Sequence, residues 1–120
     1  MVNDWPQVAK DLSAAIREVR AGVPDVMSAF SAMAKAATAQ GALDPKTKEL
    51  IALAIGIAVR CDGCIAFHAK AARQHGATRE EIMETAGMSV YMGGGPSLMY
   101  AAQALEAYDQ FAAAAATTAG

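Results

Sequence analysis

Two cysteines stand three residues apart in the segment Arg60-Cys61-Asp62-Gly63-Cys64-Ile65-Ala66-Phe67-His68, and the chain has no others. Cysteines at i and i+3 can close a disulfide without large backbone movement where a turn meets a helix. Cys64 falls in the first turn of an expected helix, where the partial positive charge of the N-terminus favours a thiolate. His68 follows four residues later and stands over the same helix face. Its imidazole can take up the thiol proton and stabilise the anion. That help matters, because an unassisted cysteine with a pKa of about 8.5 is only a few per cent thiolate at neutral pH. The pattern therefore offers redox chemistry at sulfur. Buried, inert cysteines are the bland alternative.

Two Cys and two His also make the count of a tetrahedral zinc site. The spacing opposes it. His75 lies eleven residues beyond Cys64, about 16 Å along one helix, and reads as a surface residue near a helix C-terminus, where a cation is favoured. Neither a metal nor a cofactor is expected. Zinc held with Glu49, or through an oligomer, is the remaining metal reading. Gly93-Gly94-Gly95 follows no strand, so a tight turn or close helix approach explains it better than a phosphate-cradling loop. Tyr91, Tyr100, Met83, Met88, Met92 and Met99 read as core or interface packing, methionine being an adaptable filler of gaps.

The elements that must position these residues read as helices throughout. Apolar residues make up 54% of the 120, and thirty residues are alanine, the best helix former and a poor strand former. Hydrophobic periodicity places helix 1 over Pro6–Arg20, ended by Gly22-Val23-Pro24, and helix 2 over Asp25–Gln40. Asp44 is an N-cap with Pro45 at the first position of helix 3, which is expected to run to Arg60. Its second half is apolar on every face, as in a helix buried on all sides, and in so short a chain that needs cover from a second subunit. Helix 4 is expected over Gly63–Gln74. Thr78-Arg79-Glu80-Glu81 is a capping box that opens helix 5, Arg79–Met92. Pro96 opens helix 6, with Leu98, Ala101, Leu105, Tyr108 and Ala112 on its apolar stripe and an alanine tail expected to fray. The fold class is all-α, about six helices in one compact, oligomeric bundle spanning residues 1–120 as a single domain.

The formal net charge of −2 argues against a nucleic-acid partner that needs a basic surface. The longest apolar run outside the alanine tail, Leu50–Val59, is half the length of a membrane span of about twenty residues, so no membrane partner is expected. The N-terminus lacks a signal-peptide core, and the expected location is cytoplasmic. Two cysteines three apart in a reducing compartment point to redox chemistry or a metal more than to a structural staple.

Glu49, eleven intervening residues, Cys61-x-x-Cys64, three residues and His68 together resemble the signature of the alkylhydroperoxidase-D-like branch of the carboxymuconolactone decarboxylase superfamily. Gly76-Ala77-Thr78-Arg79-Glu80-Glu81-Ile82 and Met92-Gly93-Gly94-Gly95-Pro96 look like the later helices of that family, and the resemblance covers Asp25 to Phe111. It implies a helical fold assembling as a trimer or hexamer, and thiol-dependent reduction of hydroperoxides or disulfides. It implies Cys64 as the peroxidatic thiol, Cys61 as the thiol resolving its sulfenic acid, and His68 with Glu49 as the proton relay. A hydroperoxide or disulfide substrate and an external dithiol reductant, lipoyl or thioredoxin-like, are the implied partners. One departure is Asp62-Gly63, where some members carry a second His; a carboxylate beside a thiol raises its pKa.

Glu49 has a plainer reading as an early-helix acid pairing with Lys46. On a straight helix it would lie about 18 Å from Cys61, so the relay requires the chain to fold back after Cys61 or a second subunit to supply one group. The alternative functions are a carboxymuconolactone-type decarboxylase, which needs no thiol, and a non-enzymatic thiol or zinc interaction protein.

Overall fold

The computed structural model describes residues 1–119. Six helices follow one another: α1 Trp5–Gly22, α2 Pro24–Thr38, α3 Pro45–Ala58, α4 Asp62–Gln74, α5 Arg79–Gly93 and α6 Gly95–Ala119. No strand occurs among the described residues. The all-α reading holds, with the expected boundaries displaced by one or two residues. The caps explain why the starts were legible. Asp44 accepts the Thr47 N–H at 2.7 Å, and Thr78 and Glu81 cap each other's backbone in a reciprocal box.

The core lies where α3, α4, α5 and α6 meet. Leu53, Ile57, Ile65 and Ile82 are fully buried there among Ala66, Ala69, Ala104 and Ala107. Alanine at so many core positions lets the helix axes come close, and the few large side chains fill what remains. α1 crosses α4 and α6 and buries Trp5. The chain ahead of α1 is tied to α6 through Glu106, whose carboxylate accepts the N–H groups of Val2 and Asn3 and the Trp5 indole N–H at 2.9 to 3.1 Å.

The burial pattern refines several expectations. Within one chain α3 is buried on one side only: Leu53, Gly56 and Ile57 are covered, while Ile51, Ile55 and Val59 are exposed. α4, α5 and α6 pack on the covered face of α3, and the side chains of Ile51, Ile55 and Val59 stay open to solvent in the single chain. The core face of α6 is Ser97, Ala101, Ala104, Ala107 and Phe111, and Leu98 lies outside it, because alanine rather than leucine permits the close approach. The tail does not end the helix at the alanines; α6 continues through Ala119, and Gly120 lies outside the described residues. Of the side chains read as core or interface packing, Met83, Met88, Tyr91, Met92 and Met99 lie exposed outside the core of the single chain, and Tyr100 is partly buried against it. α2 buries no residue at all.

Candidate functional site

The turn between α3 and α4 sets the site. Cys61 N–H bonds the Gly56 carbonyl at 3.0 Å, and Arg60 N–H bonds the Ile57 carbonyl at 3.2 Å. These are the two bonds of a Schellman motif, with Arg60 at the position that normally holds glycine. Arg60 adopts φ 60°, a left-handed conformation costing a non-glycine residue about 1–2 kcal/mol. The reversal sends α4 back along α3.

Cys61 becomes the N-cap of α4. Its Sγ accepts the Cys64 N–H at 3.1 Å. Cys61 and Cys64 are joined as a disulfide with their Cα atoms 5.1 Å apart. Both sulfurs thus lie at the N-terminus of α4, in the positive end of its dipole. Cys64 is held against α3 by Gly56. A Cβ at position 56 would sit 2.9 Å from the Cys64 Cβ, closer than side-chain carbons tolerate, so only glycine leaves the cysteine where it is.

Glu49 lies one turn into α3, and its residue is only 6% exposed. A carboxylate taken out of water needs a partner. It has one: the Glu49 Oε2 is 2.7 Å from His68 Nδ1. The expected Lys46 pairing is not made; Lys46 reaches Glu81 at 2.9 Å instead. The chain folds back and brings Glu49 to His68 without a second subunit. An ionised Glu49 only accepts hydrogen bonds, so Nδ1 carries the proton and Nε2 is the ring's free acceptor. Nε2 has no protein partner among the described residues. The His68 side chain is about one-third exposed, so the pair reaches from the core to solvent.

Of the predicted residues, Glu49 and His68 are in direct contact and Cys61 and Cys64 are bonded. His75 is exposed at the C-cap of α4, at the far end of an unbroken helix from Cys64. Among the described residues no group of three or more His, Cys, Asp and Glu side chains is gathered for one metal ion, and no helix is long and apolar enough to cross a membrane. Sequence reasoning missed two residues. Gly56 carried a signal, an isolated glycine in a helical pattern, which marks close packing. Arg60 carried none. A groove of about 600 Å³ between α1, α4 and α6 is lined by none of the four predicted residues.

A model of the carboxymuconolactone decarboxylase family matches residues 24–107, from α2 into α6. A carboxymuconolactone decarboxylase family protein from Legionella pneumophila is 53% identical, with a TM-score of 0.87 over 89% of this chain and 96% of that one. A family protein from Thermotoga maritima, for which a part in the antioxidative response has been suggested, is 28% identical, with a TM-score of 0.79 over 90% of this chain and 95% of that one. An uncharacterized protein of Cupriavidus necator is 46% identical over 86 residues, 72% of this chain and 76% of its own.

Proposed function

The chain belongs to the carboxymuconolactone decarboxylase family, and from that footing we propose that it reduces hydroperoxides or disulfides through Cys61 and Cys64, as in the alkylhydroperoxidase-D-like branch. The observation that carries this reading is the disulfide at the N-terminus of α4, one turn from a histidine already oriented by a buried carboxylate.

The cycle begins with the disulfide reduced by an external dithiol of lipoyl or thioredoxin-like type. His68 Nε2 takes the Cys64 proton, and Glu49 stabilises the resulting imidazolium. The helix dipole favours the thiolate. Cys64 Sγ attacks the distal oxygen of ROOH; the O–O bond breaks, and His68 returns the proton to the departing alkoxide. Cys64 is then a sulfenic acid. Cys61 attacks its sulfur, the S–S bond forms and water leaves. A dithiol restores both thiols and departs as a disulfide. The sum is ROOH plus dithiol giving ROH, water and disulfide. Disulfide substrates use the same pair without the oxygen steps. The setting is a reducing, cytoplasmic one, and the working unit is a homo-oligomer.

Decarboxylation, the reaction in the family's name, would leave the disulfide without a role. Thiol titration separates the readings. Reduced protein should show two thiols, and one equivalent of hydroperoxide should consume both. Thiols that survive excess hydroperoxide and excess disulfide would end the proposal.

A further inference from the structure

The groove between α1, α4 and α6 has a volume of about 600 Å³, within the range of a small-molecule site. Phe67 of α4 and Phe111 of α6 supply aromatic wall, and Phe111 is almost fully buried. Lys10 and Arg17 of α1 and Lys70 and Arg73 of α4 also line it, and no Asp or Glu does. The chain carries a net charge of −2 with only ten Lys and Arg. Four of those ten on one groove are a local reversal of sign.

Among the described residues none of these four cations is ion-paired with a carboxylate. The ion pairs among the described residues are Lys46–Glu81, His68–Glu49 and Arg79–Asp109. Lys10 and Arg17 are two turns apart on one face of α1, and Lys70 and Arg73 one turn apart on α4. Arg73 sits in the last turn of α4, where the helix dipole favours a cation. That accounts for Arg73 and not for the other three. Like charges brought together repel, and an anion between them relieves the repulsion. A groove with aromatic wall and cationic rim matches a ligand with the same division.

We propose that this groove binds an amphiphilic organic anion, an acyl chain ending in a carboxylate. Its chain lies against Phe67 and Phe111, and its head group lies among Lys10, Arg17, Lys70 and Arg73. The site is separate from the thiol pair and does not depend on the redox reading.

Calorimetric titration of the full chain with dodecanoate, below its micelle concentration, tests this. One dodecanoate should bind per chain, more weakly as salt is raised. The Arg17→Gln/Lys70→Gln double variant should lose about tenfold or more in affinity, the loss expected for removing charged contacts. Both positions lie on the surface, and unchanged helical circular dichroism would show that the fold is kept. Dodecyltrimethylammonium and inorganic phosphate should each bind far more weakly than dodecanoate. Equal binding of the cationic amphiphile would reduce the groove to apolar surface, and equal binding of phosphate would reduce it to an inorganic anion site. Undiminished affinity in the double variant would place the ligand elsewhere. No saturable dodecanoate binding would overturn the proposal. If the double variant also changed the chain's mass in solution, the groove would belong to a contact with a second copy.

Discussion

Glu49 and His68 show how one hydrogen bond can divide the labour of a relay. The carboxylate is buried and the imidazole is partly exposed, 2.7 Å apart. In the proposed cycle Glu49 is a positioning residue: it fixes the tautomer and balances the charge His68 acquires. Glu49→Gln keeps the shape and a hydrogen-bonding oxygen but removes that charge. The rate of Cys64 oxidation by hydroperoxide should fall about a hundredfold at neutral pH, the low end of general-base contributions. The deficit should shrink toward pH about 9, where a thiol ionises without help. Stopped-flow thiol oxidation across pH checks this. A uniform loss at all pH values would mean a merely structural role. At this scale the sequence was uneven. Cys61, Cys64 and His68 were legible because their spacing alone puts them on one helical turn and the next. Glu49 was not, because its contact spans nineteen residues and exists only after the chain reverses; the family resemblance supplied it.

At the scale of the elements, the α3–α4 junction is the decisive piece. Helix starts were readable from their caps, Asp44 and Thr78. The end of α3 was not, because the left-handed position is held by Arg60 rather than glycine, and the apolar run extends through Val59, one residue beyond the helix. Gly56 beneath Cys64 is the other feature that was missed, although an isolated glycine in a helical pattern marks close packing. Gly56→Ala should push the two helices apart and cost about 1–3 kcal/mol, as overpacking does. Urea unfolding of the oxidised protein measures it, and slower disulfide formation should accompany the loss; unchanged stability and unchanged disulfide formation would contradict the close contact. The link between the N-terminal segment and α6 has a pH signature. The Asn3 N–H, then those of Val2 and the Trp5 indole, hold the Glu106 carboxyl below its ordinary 4.5, against the opposing effect of burial. The unfolded chain therefore takes the proton first as pH falls. The stabilisation is complete above about 4.5 and is lost as pH drops through the depressed folded value. Denaturation curves should show Glu106→Gln with a shallower loss of stability below that pH than the parent. Parallel curves would remove Glu106 from the account.

For the whole molecule, the alanine-rich composition predicted a close-packed helical chain and too few large side chains to cover α3. One chain bears this out in its own way, leaving Ile51, Ile55 and Val59 exposed along α3, and Val26, Phe30 and Met33 along an α2 that buries nothing. Such contiguous apolar faces mark association surfaces. Light scattering should give a mass that is a multiple of 12.4 kDa, and Ile55→Asp should lower it. A monomeric parent protein would contradict the proposed assembly. What composition could not show was which face of each helix stays uncovered, since alanine on every side gives no direction. The central claim concerns the working cycle of the intact protein, and steady-state turnover tests it most directly. With a hydroperoxide and dihydrolipoamide, the parent protein should oxidise one dithiol per hydroperoxide consumed, and Cys64→Ser should do neither. Full turnover by Cys64→Ser, or none by the parent with any dithiol, would contradict it.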